Sequence, residues 1–141
     1  MKYTLKGGKL ITKTEKPVVE EAGEPKTSVP ECIGKMMAFN TALQMAHWQA
    51  NTVTNEHKAL GDLYSSLVEL LDEFAEVYMG KFGVLEFQKM QVEKLKKPCM
   101  EGLEIVEELK EEIADDIGLE NIVADMEIAL QKARYLLKEK V

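Results

Sequence analysis

Five side chains with metal-site chemistry fall between residues 47 and 76: His47, Trp48, His57, Asp72 and Glu76. The two histidines and the tryptophan are the only ones in the 141-residue chain. Imidazole nitrogens and carboxylate oxygens together suit ferrous iron and several other first-row divalent ions. The commonest way to build such a site in a helical bundle is Glu-x-x-His, which puts both ligands on one helix face. That motif is absent, because Gln44 precedes His47 by three residues and Thr54 precedes His57 by three. A site made of these residues must therefore be assembled differently.

The elements that position them are legible from apolar spacing. Ile33, Met36, Met37, Asn40, Leu43 and His47 recur at three and four residues and define one face of a first helix. Asn51 to Asn55 supplies a loop with several N-cap candidates. Leu60, Leu63, Tyr64, Leu67, Leu71, Phe74 and Tyr78 mark a second helix, closed by Gly80 and Gly83. Residues 84–97 form a shorter amphipathic piece, and Pro98 blocks its smooth continuation. Leu103, Val106, Leu109 and Ile113 mark a third helix stopping near Gly118; Ile122, Met126, Leu130, Ala133 and Leu137 mark a fourth, running nearly to Val141. The expected fold is an all-α four-helix bundle over residues 31–141. Short loops join helices one to two and three to four, and a long crossover with its own short helix joins two to three. One long crossover is the ferritin-like arrangement.

On this layout His47 and His57 share one end of an antiparallel hairpin. Asp72 and Glu76 lie 15 and 19 residues beyond His57, roughly 22–28 Å along the helix. One chain cannot bring its own Asp72 to its own His57. A two-fold pair packed through antiparallel second helices can, giving two imidazoles and two carboxylates at each of two sites.

The ordered set His47-Trp48, His57, Asp72, Glu76, with the surrounding LVELLDEFAE, resembles the Dps family of mini-ferritins. The resemblance implies a four-helix subunit in a homo-oligomer built on two-fold dimers, a hollow dodecamer in the family. It implies an intersubunit iron site, di-iron or mononuclear, at which Fe(II) is oxidised, preferably by hydrogen peroxide. Iron would then be stored inside, with Trp48 in the catalytic role beside the metal. The chain departs from the family pattern at several points, among them the region of the third helix interrupted by Pro98 and the lack of the usual glycine and aromatic residues between the histidines. The stretch between the histidines is two residues shorter, and Gly61 stands where an acid often follows the second histidine by four, leaving Asp62 as the nearest candidate ligand.

Charge and composition bound the remaining readings. No apolar run is long enough for a membrane helix, and MKYTLKGGKLITK lacks the apolar stretch of a secretory leader, so a cytoplasmic protein is expected. Cys32 and Cys99 form no CxxC motif and read as reduced, structural thiols, although Cys99 beside Pro98 at a helix start is placed for a lowered pKa. Met36, Met37 and Met45 read as core filler. Residues 1–30 read as an N-terminal arm, a small KYTL–LITK hairpin followed by a linker of Pro, Gly, Glu and Lys. Residues 1–16 carry five lysines and one glutamate, net +4, so residues 17–141 carry −11 of the total −7. The acidic body disfavours nucleic acid and leaves only weak contact through the arm, to DNA or to a protein. The second function class follows from that arm: a bundle with reduced catalysis, docked into an assembly through its N-terminal segment.

Overall fold

A computed structural model of the chain describes residues 28–50, 54–87 and 89–139. The expected hairpin and most of the arm lie outside the described residues. Four helices form, α1 (Val29–Gln49), α2 (Thr54–Phe82), α3 (Pro98–Glu112) and α4 (Ile117–Leu136), and no strand is present among the described residues. None of these helices is long and apolar enough to cross a membrane.

Helix α1 starts two residues earlier than its apolar pattern suggests. Ser28 accepts a hydrogen bond from Glu31 N, and the Glu31 carboxylate accepts one from Ser28 N, so a capping box fixes the start. Pro30 is no obstacle in the first turn, where its missing N–H has no helical partner to lose. Hydrogen bonds donated by Ser28 N and by its Oγ to the Glu31 carboxylate hold that carboxyl below its usual range.

Helix α1 packs on α2 and α3, α2 packs on α4, and α3 packs on α4. Ala46 and Ala50 near the end of α1, Leu60 near the start of α2, Pro98 at the start of α3 and Leu137 after α4 gather at one end of the bundle. Neighbouring helices are therefore antiparallel, and the diagonal pair α2 and α3 run the same way. Phe74, Ile33, Met36, Leu43, Leu67, Leu109, Leu119, Met126 and Leu130 fill the core between them. Met37 and Met45, expected inside, stand in solvent, whereas Met36 is fully buried.

The crossover corrects the expectation of a short helix. Residues 83–97 carry no helix among the described residues. These fifteen residues must return the chain along α2, whose 29 residues span about 43 Å. As a helix they would reach only about 22 Å; extended, they reach up to about 50 Å. Gly83, at φ +98°, ends α2 in a conformation that suits glycine, while Gly80 stays within the helix. Leu85 is buried, and Met90 Cγ sits 3.5 Å from the point where a Gly34 Cβ would stand, so the strap lies along α1.

The later turns are pinned by acids. Asp116 caps α4 by accepting Leu119 N at 3.0 Å and pairs with Lys81 Nζ at 2.7 Å, tying the end of α2 to the start of α4. The lysine and the backbone hydrogen bond hold the Asp116 carboxyl low. Gly118 thus lies in the first turn of α4, not at the end of α3, which stops at Glu112. Past α4 the chain turns back, and the Glu139 carboxylate accepts Cys99 N at 3.0 Å and Met100 N at 2.8 Å. Lys97 provides no side-chain cap there, so this distant acid satisfies the exposed donors of α3 and complements its dipole. Burial, followed by the charge of Glu139, pushes the Cys99 thiol up to about 12; burial likewise pushes Cys32 up to about 12. Proximity to the start of α3 does not activate Cys99. Both cysteines are buried and free.

Candidate metal centre

His47 sits in the last turn of α1 and His57 in the opening turns of α2, so the hairpin brings them to the same end of the bundle. Their rings stack with centroids 3.9 Å apart and planes inclined by 20°. His47 Nδ1 lies 2.7 Å from the His57 carbonyl oxygen, and His57 Nδ1 lies 2.8 Å from the His47 carbonyl oxygen. A carbonyl can only accept, so both Nδ1 atoms carry hydrogen. Each neutral ring is fixed in the tautomer that leaves Nε2 with a free lone pair. Backbone carbonyls orient metal-binding imidazoles in the same way.

The close approach of the rings accounts for Gly61. A Cβ at Gly61 would stand 2.6 Å from His47 Cε1 and 2.9 Å from its Nδ1. The His47 ring occupies the space that a side chain at position 61 would need. Any side chain at position 61, an acid included, and the stacked pair exclude each other.

Gly61→Ala is expected to push the His47 ring off its carbonyl partner. Alanine gains about 1 kcal/mol of helix propensity, and the lost hydrogen bond and ring contact cost about 1–2 kcal/mol, so stability should fall by at most about 1 kcal/mol. The imidazole nitrogen NMR signals should change clearly, with His47 losing its fixed Nδ1–H pattern. Unaltered signals would show that the ring does not depend on Gly61.

The acids are placed differently. Asp62 pairs with Lys58 at 3.0 Å and lines the groove between α2 and α4, turned from the histidine pair. Asp72 is exposed in the groove between α1 and α2, and Glu76 is exposed one turn further on. Among the described residues no three His, Cys, Asp or Glu side chains converge on a cation site. One protomer thus brings together His47 and His57 and leaves Asp62, Asp72 and Glu76 apart. The residues present fit half of a four-donor centre.

Trp48, beside His47 in sequence, is 59% exposed and does not belong to the core. It continues a stripe on α1 with Met37 and Met45, and Val68, Met79 and Phe82 make a matching exposed stripe on α2. The helical period places each set within one arc, and Met37 and Val68 meet across the groove that holds Asp72. Met37 and Met45, expected in the core, thus belong to an apolar seam on the outer face of the α1–α2 hairpin that helical periodicity alone does not reveal.

Compared with known proteins, residues 47–137 match a family described as "Family of unknown function (DUF5856)", and the chain belongs to that family. The matched span begins at His47 and includes His57, Asp72 and Glu76. No curated protein and no solved structure matches the chain.

Proposed function

We propose that this member of DUF5856 is a ferritin-like, Dps-like subunit that takes Fe(II) as substrate at a site completed by a second copy. His47 and His57 of one protomer supply Nε2 donors; the partner's Asp72 and the partner's Glu76 supply anionic oxygens that offset the metal charge. Peroxide receives the electrons as Fe(II) becomes Fe(III), and the product is stored. The observation that carries this reading is the pair of Nδ1-to-carbonyl hydrogen bonds, which leaves both Nε2 atoms ready to bind. Two further features support it. The diagonal pairing of α2 with α3 through a long strap matches a ferritin-like bundle, and the apolar seam offers a self-complementary face.

The reading fixes a register. Antiparallel α2 helices that bring His57 to the partner's Asp72 place the two-fold axis midway between those positions, at Tyr64 and Ser65. Ser65 is exposed, so Ser65→Cys should form an intersubunit disulfide under mild oxidation. Cys32 and Cys99 are buried with thiols pushed up to about 12, which keeps both out of the reaction. The same dimer should oxidise Fe(II) with substoichiometric peroxide, followed by ultraviolet absorbance under anaerobic conditions. A monomeric Ser65→Cys product would refute the register, and oxidation no faster than in buffer would refute the chemistry.

A second reading has its own support. Stacking and two reciprocal hydrogen bonds give the histidines a complete structural role as a clasp on the α1–α2 hairpin. The bundle is then a scaffold, docked to a protein partner through its lysine-bearing N-terminal segment. Loss of iron oxidation would favour it, as would a partner complex abolished by deleting residues 1–27.

A further inference from the structure

Helix α4 packs on α2 and α3, and its remaining side is covered by no helix. Asn121, Asp125, Ile128, Lys132 and Tyr135 recur at three and four residues and share that side. Ile128, Tyr135 and the neighbouring Leu136 are each more than half exposed there. Between α4 and α2 runs a groove of about 320 Å³, lined by Leu63, Leu70, Ile128 and Leu136 and by the carboxylates of Asp62 and Asp125. Glu73, exposed, continues the Asp62 edge of α2 eleven residues further along. Lys132 is the only cation among the lining residues. Asp62 already pairs with Lys58 at 3.0 Å, whereas Glu73 and Asp125 pair with no cation among the described residues. Ser66, which lines this groove, lies about 160° round α2 from Val68 in the seam. A two-fold pair joined through the seam therefore leaves the groove open.

One segment of the chain has the complementary chemistry. Residues 2–13, KYTLKGGKLITK, carry four lysines and no acid, with Tyr3, Leu5, Leu10 and Ile11 as apolar side chains. Residues 14–27 tether that segment to Ser28 and span up to about 46 Å. Helices α1 and α4 start at the same end of the bundle, because each is antiparallel to α2. Leu136, at the far end of the groove, is 19 residues from Ile117, about 28 Å along α4, and diagonal helices lie about 14 Å apart. The tether thus reaches the whole groove with length to spare. We propose that residues 2–13 seat in the α2–α4 groove of their own chain, apolar side chains against Ile128 and Leu136 and lysines against Glu73 and Asp125. A seated arm is withheld from DNA and from protein partners, and either must first displace it from the bundle. The groove holds none of the four proposed iron ligands, so arm seating and iron chemistry can fail separately.

Paramagnetic relaxation in the full chain tests the seat, with a nitroxide attached at Gly8→Cys. Cys32 and Cys99, both buried, do not take the label. At low ionic strength the methyl signals of Ile128 and Leu136 should broaden. The methyl signal of Met90, on the strap that lies along α1, should keep its width. Raising salt from about 0.01 M to about 1 M shortens the screening length roughly tenfold and should relieve the broadening. Glu73→Lys combined with Asp125→Lys should weaken seating about tenfold, and Ile128→Ser should weaken it about fivefold. All three positions are exposed, so the variants should fold. Equal broadening of Met90 and Ile128 would show that the arm has no seat and overturn the proposal. Unchanged broadening in the charge-reversed chain would do the same. Mixing isotope-labelled, untagged chain with tagged, unlabelled chain separates the last alternative: broadening there would put the arm on a second copy and overturn the assignment to its own bundle.

Discussion

His57→Ala is expected to cut peroxide-driven Fe(II) oxidation by at least about 100-fold, the upper end of what loss of a mere supporting group costs a metal site. It removes a donor from each of the two proposed intersubunit sites. It also strips His47 of its stacking partner and leaves the His47 carbonyl without the His57 Nδ1–H. The His57 backbone remains, so the hydrogen bond from His47 Nδ1 to the carbonyl at position 57 has no chemical reason to vanish. Stability should therefore fall by only about 1–2 kcal/mol, one hydrogen bond and one ring contact. The two quantities separate the competing functions. Loss of oxidation with a modest loss of stability in urea titration fits the iron site. Loss of stability with oxidation already at the buffer rate in the parent protein fits the clasp. Cobalt(II) absorption gives a second readout for the parent and the variant, since it reports ligation without turnover.

The helices and most of their inward residues were open to sequence reading because burial on a helix face imposes a period of 3.6. Leu43, Leu67, Phe74, Val106, Met126 and Leu130 all lie where that period puts them. The crossover misled for a physical reason. Val84, Phe87 and Met90 have helical spacing, but the distance to be spanned overrides local preference, and distance is a property of the assembled bundle. The same limit hid the histidine geometry. Sequence placed His47 and His57 at one end of the hairpin, yet their reciprocal hydrogen bonds depend on the relative rotation of α1 and α2. Gly61 was visible only as a glycine inside a helical stretch, and the stacked ring of His47 accounts for it. Asn40 sat on the right stripe among Met36 and Leu43, but that its buried Oδ1 finds no donor among the described residues is a fact of three-dimensional packing. Met37 and Met45 went the other way, because methionine suits a core and an exposed contact seam equally well.

Gly102→Ala is expected to cost about 1–3 kcal/mol, as overpacking of a closed core does. Gly102 is buried in α3, between α1 and α4. A Cβ there would stand 2.7 Å from Leu130 Cδ2 and 2.7 Å from Phe39 Cζ. Leu130 Cδ2 is the tip of a flexible side chain, but the Phe39 ring is rigid and 4% exposed, so it has little room to move. The gain of about 1 kcal/mol from replacing glycine inside a helix opposes this cost without cancelling it. Gly80 supplies the contrast within the same molecule. It is exposed inside α2 with nothing within 4 Å of its Cβ position, so Gly80→Ala should stabilise by up to about 1 kcal/mol. Urea unfolding of the two variants should therefore shift in opposite directions. Two shifts of the same sign would mean that Phe39 and Leu130 yield, and that close approach is not what keeps glycine at 102. Because α3 carries neither histidine, Gly102→Ala should leave the His47 Nδ1 signal unchanged wherever the bundle stays folded, whereas Gly61→Ala should alter that signal with a loss of at most about 1 kcal/mol.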